Sequence, residues 1–325
     1  MRAIVIKQFG APEVLAIEER PDPKPEAGFV VIEVKAFGVN HAEIHMREGD
    51  WPEAAEISGI EAAGVVRADP SGTFRTGQKV VAFMGGMGRS LAGSYAELTR
   101  VPLGNVLAVE TDLPWEQLAA IPESYATAWI CLFGNLDLKA GQTLVVRGAT
   151  SALGQAAVNI ASQLGARVIA TTRNPARAAS LEAIGAREVL IETPELSARV
   201  RERYPAGVDG VLELVGNATV LDSLKAVRRH GRLCEAGWLG GLAPIADFNP
   251  IAQLPSGVQY SLFGSFMFGS TEFPTAEVPM QSIVDRVAAG QYQARPAKVF
   301  RFEEIREAHR LMQSGQANGK LVVRV

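Results

Sequence analysis

The amino-acid sequence predicts an α/β protein in which a β-rich domain precedes a doubly wound parallel sheet. Three observations carry this expectation. The first third of the chain holds short β-branched runs separated by turn residues, and from about Tyr125 the pattern changes to alternating strand and helix. At the head of that alternation, residues 143–173 read as strand, small-residue turn, helix and second strand. Strand–helix alternation implies parallel pairing through crossovers, whereas short strands divided by turns imply antiparallel or barrel-like pairing.

In chain order, candidate strands lie at residues 3–7, 14–18, 30–36, 64–68 and 79–83, divided by turn signals such as Pro21-Asp22-Pro23-Lys24-Pro25 and Pro70-Ser71-Gly72. One short helix at 42–48 interrupts them, and within it Glu43 and Arg47 have the spacing of an acid-first i, i+4 pair. Six further strands are expected at 143–147, 167–171, 188–191, 210–215, 232–237 and 259–264, enough for a doubly wound sheet. Helices are expected at 153–164, 176–184 and 218–229. Residues 280–325 carry two amphipathic helices and a last strand at 320–325. This tail follows the sixth strand, so it is expected to return to the first domain. The division is then residues 1–122 with 266–325, and residues 123–265.

The turn after the 143–147 strand carries the chemistry. Gly148, Ala149, Thr150, Ser151, Ala152 and Gly154, with Leu153 among them, leave little side-chain bulk before the helix. Backbone can then come close to a ligand, and the free N–H groups and positive dipole end of the helix suit a phosphate. A nicotinamide dinucleotide with a free ribose 2′-OH usually meets an acidic residue about 20 residues past such a turn. Here the second strand ends Thr171-Thr172-Arg173-Asn174, with no carboxylate, and Arg177 follows one turn on. A guanidinium there suits a 2′-phosphate. The cofactor expected is NADPH, held by the turn and by Thr172, Arg173 and Arg177.

Composition sets outer bounds. The chain has 325 residues, is 47% hydrophobic and carries a formal charge of −3, without a basic stripe that would favour nucleic acid. No apolar run reaches membrane-spanning length, and the start MRAIVIKQFG reads as a first strand, not a signal peptide. Cys131 and Cys234 sit far apart in apolar contexts, as buried thiols of a cytoplasmic protein.

The order of β-rich domain, nucleotide-binding domain and C-terminal return resembles the medium-chain dehydrogenase/reductase superfamily, in particular its zinc-free, ζ-crystallin-like quinone oxidoreductases. The markers run the length of the chain: Gly38-Val39-Asn40 followed by Glu43, Arg47 and Gly49; Gly59-Ile60-Glu61-Ala62-Ala63-Gly64; Gly93-Ser94-Tyr95-Ala96-Glu97; Thr127-Ala128-Trp129; the small-residue turn; and Asn318-Gly319-Lys320. The resemblance implies a GroES-like catalytic domain joined to a Rossmann domain, a homodimer paired through the nucleotide-binding domains, and hydride transfer to a quinone. It places Thr127 near the nicotinamide, backbone of Val215, Gly216, Gly237, Phe263, Gly264 and Ser265 beside the nicotinamide half, and Lys320 at the phosphates. Ser151 replaces the family's central glycine, and Trp51 replaces a tyrosine of the substrate pocket. A family tyrosine near the adenosine phosphate corresponds to Glu192, which receives no cofactor role.

Zinc alcohol dehydrogenases share this architecture, but their cysteine ligand corresponds to Asn40 and their Gly-His-Glu motif to Gly59-Ile60-Glu61. His41 and His45, at i, i+4 with Glu43 between, do not form the H-E-x-x-H pattern and read as polar histidines on a short helix. No metal is expected. A quinone suits a site without zinc or an evident proton relay, because protons reach its oxygens from solvent. Asn40 is the candidate anchor, its amide donating to the acceptor carbonyl as charge develops; the alternative is an Asn holding the loop after a strand. Phe263, Phe266, Phe268 and Phe273 either cover the acceptor ring or form core and dimer contacts. Glu213 and the Arg228-Arg229 pair read as structural. Two rivals stay open: reduction of an enone or alkenal double bond, which needs a proton donor for carbon, and NADPH binding with little turnover.

Overall fold

A computed structural model describes residues 1–51 and 53–325. The chain divides into two compact units, Met1–Ala126 with Ser265–Val325, and Thr127–Gly264. The first unit begins with β1 (Arg2–Ile6), β2 (Leu15–Glu19), β3 (Phe29–Val39), β4 (Glu61–Ala68), β5 (Lys79–Phe83), β6 (Leu98–Pro102) and β7 (Val106–Ala108). The second holds β8 (Thr143–Arg147), β9 (Arg167–Thr172), β10 (Glu188–Ile191), β11 (Val208–Glu213), β12 (Val227–Glu235) and β13 (Gln259–Leu262). The tail adds β14 (Lys298–Arg301) and β15 (Leu321–Arg324) to the first unit. Four helices matter below: α1 (His41–Glu48), α2 (Ala152–Leu164), α3 (Val220–Ala226) and α4 (Ile305–Gln313).

In the first unit the long strand β3 pairs antiparallel with β4, β6 and β15, so the last strand of the chain lies against a strand near its start. The sheet order is β14-β15-β3-β4-β5-β7. Register shifts between Val31 and Ile32 and between Val34 and Ala36 bend the sheet towards a barrel. Alternating apolar residues of β3 and β15 meet the β1–β2 hairpin and α4, and Phe37 stacks on Tyr95 at 4.6 Å. The β6 and β7 strands do not stand out in sequence because Pro102 and Leu103-Gly104-Asn105 break the run into two short pieces.

The second unit is an all-parallel six-stranded sheet, order β10-β9-β8-β11-β12-β13. Its order reverses between β8 and β11, and in such sheets ligands bind outside the carboxyl ends of strands at that point. One helix is shorter than its pattern suggests. Residues 218–229 were expected to be helical, but α3 stops at Ala226 and Val227 enters β12, where it pairs with Val208 and is buried. Strand pairing and burial of a β-branched residue outweigh local helix preference, so Arg228 and Arg229 lie on a strand. Among the described residues, no helix is long and apolar enough to cross a membrane.

Candidate functional site

The turn from β8 into α2 is built around two glycines. Gly148 has φ 85°, a conformation that side chains resist, and its N–H donates to Thr171 Oγ1 at 3.1 Å. A Cβ on Gly154 would lie 2.6 Å from both Ala149 Cα and Gly148 O, so only glycine lets α2 approach the turn this closely. Ser151 is the N-cap. Its hydroxyl donates to Gly148 O at 2.9 Å and accepts from Gly154 N–H at 3.0 Å. The replaced glycine is thus used to close the turn on itself and to satisfy one helix N–H. Ala152 and Leu153, at the first positions of α2, have no intrahelical acceptor for their N–H groups. A pyrophosphate fits that cradle. Gly154→Ala is expected to lower stability by about 1–3 kcal/mol through overpacking and to weaken dinucleotide binding. Urea unfolding and a fluorescence titration would read both, and unchanged binding would remove the turn from the site.

Beneath this turn lies a charged network that the sequence did not disclose, because Arg147 reads there as the end of an apolar strand. Arg147 is fully buried at the end of β8. Its guanidinium donates to Glu192 Oε1 at 2.9 Å, Asp222 Oδ2 at 2.9 Å, Ser223 Oγ at 2.9 Å and the carbonyls of Thr193 and Thr219. Glu213, its register neighbour on β11, accepts from Val215 N–H at 2.8 Å, Gly216 N–H at 3.1 Å, Thr219 Oγ1 at 3.0 Å and the Ser223 hydroxyl. Burial raises the Glu213 pKa, against the pull of Ser223 and Arg147. The network shapes the loop after β11. Gly216 turns at φ 93°, Gly240 N–H reaches Val215 O at 2.8 Å, and a Cβ on Gly237 would sit 2.8 Å from Leu214 O. The expected Val215, Gly216 and Gly237 therefore lie together at the carboxyl ends of β11 and β12, the end of the sheet that also carries Gly148.

Arg173 directly follows β9 and is exposed; Thr172 Oγ1 accepts Asn174 N–H at 3.1 Å, and Arg177 is half-buried in the next turn. Glu192 Oε1 is taken by Arg147. Phe263 and Gly264 are buried just past β13, Ser265 opens the returning segment of the first unit, and Thr127 is buried at the start of the second.

In the first unit, Asn40 caps α1 within a buried polar cluster. Glu43 Oε2 accepts Asn40 N–H at 2.7 Å and its Oε1 accepts Ile60 N–H at 3.1 Å. Lys320 donates to Asn40 Oδ1 at 2.6 Å, to Glu61 and to Ser124 Oγ at 3.4 Å, and Glu61 Oε2 accepts Glu123 N–H at 2.9 Å. A side chain at Gly38 would run into both Glu61 and Lys320, which explains the glycine of the Gly38-Val39-Asn40 marker. Burial lifts Glu43 to a pKa of about 7, with Lys320 pulling it down and Glu61 pushing it up.

These contacts differ from three expectations. Asn40 Nδ2 is held by Glu61 Oε1 at 2.9 Å and Glu43 Oε1 at 3.3 Å, so both amide hydrogens are engaged instead of open to an acceptor carbonyl. Lys320, expected at the phosphates, is the counter-ion of Glu61, and its three hydrogens meet acceptors inside its own unit. The Glu43–Arg47 pair is not made. Arg47 is fully buried and turns instead to Glu48 at 2.6 Å, Gly10 O at 2.8 Å and Gln313 at 3.0 Å. Burial decides all three, because a charge withdrawn from water takes the strongest partner its packing offers.

Trp51 lies beside the far end of α1. Its ring is 5.6 Å from His45, and the Arg89 guanidinium sits 5.6 Å over it and 5.3 Å over Phe266. Phe268 instead packs edge-on to Phe83 at 5.0 Å, as core. Gly49 ends α1 at φ 85°, turning the chain so that Asp50 Oδ2 returns to His45 Nδ1 at 2.7 Å. The His41 and His45 rings meet edge-on at 5.1 Å, and burial together with His45 drives His41 down to a pKa of about 4. The partner of His45 has a local signal in Gly49-Asp50, a helix-ending glycine followed by an acid. Among the described residues, no three His, Cys, Asp or Glu side chains are grouped to hold a metal ion.

Two family models match the chain: the alcohol dehydrogenase GroES-like domain over residues 26–111 and the zinc-binding dehydrogenase over residues 152–281. The quinone oxidoreductase of Homo sapiens is 27% identical over 336 residues, spanning 99% of this chain and 97% of that protein. Polyketide synthase GfsB of Streptomyces halstedii is 31% identical over 302 residues, which are 92% of this chain but 5% of that much longer protein. Among solved structures, a mycobacterial protein complexed with NADPH has a TM-score of 0.88 at 26% identity, with 100% of both chains covered.

Proposed function

Because the chain belongs to the medium-chain dehydrogenase/reductase superfamily, in its quinone oxidoreductase type, we propose that it reduces a quinone with NADPH and without zinc. The glycine cradle, followed at the end of β9 by Arg173 in place of a carboxylate, carries this reading. The N–H groups of Ala152 and Leu153 hold the pyrophosphate, and Arg173 and Arg177 hold the 2′-phosphate. The loops at Val215, Gly216, Gly237, Phe263 and Gly264 offer backbone to the nicotinamide half. The mycobacterial neighbour complexed with NADPH supports the choice of cofactor. Bound NADPH supplies a hydride. Against zinc stands the chemistry at the family's ligand positions: Asn40 offers an amide already held by Lys320 and Glu61, and Ile60 offers a hydrocarbon.

The edge strand β13 supports a homodimer. It leaves one side unpaired, with Tyr260 45% and Leu262 52% exposed, and a second copy of that edge would continue the sheet. Reduction of a conjugated double bond is the second reading. The His45–Asp50 pair favours it, since a proton donor is what that chemistry adds.

The test is loss of NADPH absorbance with purified protein, offering 1,4-benzoquinone and 9,10-phenanthrenequinone beside 2-cyclohexenone. Quinone turnover supports the first reading, enone turnover the second, and tight NADPH binding with no turnover a binding protein. Arg173→Ala is expected to weaken NADPH binding by about 10- to 100-fold, the worth of a hydrogen bond to a charged group, while NADH binding stays within about twofold. Equal affinity of the unaltered protein for the two nucleotides would sink the assignment of NADPH.

A further inference from the structure

The second unit has a cavity of about 150 Å³ at the amino ends of its strands, the opposite end of the sheet from the glycine turn. Its wall is formed by residues just before β8, by Asp209 and Gly210 on β11, and by Arg228, His230 and Arg232 on β12. The chain is bent to make this wall. Val208 pairs with Val227 and Gly210 with Arg232, so five positions of β12 run where β11 runs two. The surplus forms a bulge that carries Arg228 and His230. His230 turns at φ 62°, and Asp137, also in the wall, at φ 49°; they are two of the five described non-glycine residues with positive φ. Side chains resist that backbone, which persists only where its surroundings hold it and gathers at functional sites. Here the His230 N–H donates to Gly257 O at 2.7 Å.

Donors in the wall outnumber acceptors. Both Asp209 oxygens are taken, Oδ1 by Arg228 Nε at 2.7 Å and Oδ2 by the Thr143 N–H at 2.7 Å. Asp137 Oδ1 is taken by Lys139, and Arg232 reaches Asp137 Oδ2 only at 3.8 Å and Asn135 O at 3.3 Å. Gln142 gives its side-chain oxygen to the Lys139 N–H at 2.8 Å. That leaves Arg228 Nη2, the Gln142 amide nitrogen and the His230 ring without a hydrogen-bond partner among the described residues.

We propose that this cavity binds a small phosphate-bearing anion: inorganic phosphate, pyrophosphate or a phosphomonoester of a few carbons. Arg228 and Arg232 offer planar forks that match phosphate oxygens, Lys139 a point charge, and Gln142 and His230 further donors. With His230 counted as neutral, three cations face two aspartates, so recognition rests on directed donors more than on net charge. The volume is roughly ten times what one water needs, which admits a phosphate with a small body and excludes a dinucleotide. The site is separate from the nucleotide turn and does not depend on the hydride-transfer reading above.

The experiment is calorimetric titration with inorganic phosphate, pyrophosphate and glycerol 3-phosphate in turn, in buffer free of other oxyanions. It compares unaltered protein with Arg232→Gln, Arg232→Glu, His230→Gly and Gly154→Ala, each first checked for cooperative urea unfolding. Arg232 is half-buried and its contacts are long, so the fold does not rest on it. Expected is submillimolar binding of at least one probe, and the tightest of the three identifies the source of the phosphate. Arg232→Gln weakens that binding about tenfold, and Arg232→Glu abolishes it. His230→Gly relieves the backbone and removes the ring, so the thermal midpoint rises by about 2–4 °C while affinity falls about tenfold. A histidine kept only for structure would not trade stability for binding in this way. Gly154→Ala, at the nucleotide turn, leaves the affinity within about twofold. No binding of any probe at about 10 mM would overturn the proposal. So would unchanged affinity in Arg232→Glu or in His230→Gly, or binding lost in Gly154→Ala alone, which would seat the anion at the nucleotide turn and leave the NADPH reading standing.

Discussion

Arg147→Met is expected to destabilise the nucleotide-binding unit by about 3–5 kcal/mol, the usual cost of removing one partner from a buried ionic group. Arg147 is fully buried and is the cation facing Glu192, Asp222 and Glu213, whose own side chains are mostly or wholly buried. Methionine fills similar space without a charge. It leaves Glu213 without the guanidinium that opposes its burial, so the Glu213 pKa rises further. Because Glu213 accepts the N–H groups of Val215 and Gly216, a protonated carboxyl there loosens the loop beside the expected nicotinamide position. NADPH affinity should therefore fall with stability. Urea unfolding, followed by a probe in this unit because two units need not melt together, measures the first effect and a binding titration the second. A loss below about 1 kcal/mol would mean that the network is solvated and the loop supported otherwise.

Lys320→Met is expected to cost the first unit a similar amount, about 3–5 kcal/mol at pH 8, and clearly less at pH 5. Lys320 and Glu61 are 4% and 0% exposed at their side chains. The pH dependence comes from Glu43. Its folded pKa of about 7 stands above the ordinary 4.5, so its contribution is fully present below pH 4.5 and is lost as pH rises through 7. Lys320 opposes that rise. Without the lysine, Glu43 holds its proton to higher pH, so the variant loses more stability than the unaltered protein as pH rises from 5 to 8. His41 and His309, depressed by burial to about 4 and about 3, act with the opposite sign. Their contribution is present above pH 6.5 and lost as pH falls, equally in both proteins, so it cancels in the difference. Urea midpoints of both proteins at pH 5 and pH 8 measure the effect. A deficit of the same size at both values would rule out the coupling. Removing Glu61 as well, in Lys320→Met/Glu61→Leu, should recover part of the loss, since no unpaired charge then remains between them.

The strands at 79–83, 143–147 and 188–191 were legible to the residue because each is a short β-branched or apolar run with turn residues at both ends. So was the glycine turn, since Gly148 and Gly154 answer to local backbone geometry and to the close contact of one turn with its own helix. Val227 was misread as helical because its partner, Val208, is chosen by the sheet. The charged clusters were illegible for the same reason on a larger scale. Lys320 and Asn40 are 280 positions apart, and Arg147 and Asp222 are 75 apart. No periodicity links such residues. The exception is His45–Asp50, five positions apart, which the turn at Gly49 makes readable in retrospect.

The sequence by itself determined the two-part architecture, the parallel order of strand and helix in the second unit, and the glycine turn between β8 and its helix. These follow from side-chain alternation, β-branching and the steric freedom of glycine, all of which act over a few residues. Only the tertiary structure decided that Asn40 is held by Lys320 and Glu61 and that Arg147 lies against the carboxylate that braces the loop at Val215. Those outcomes depend on which groups lose water together, and dehydration is settled when distant parts of the chain pack against one another.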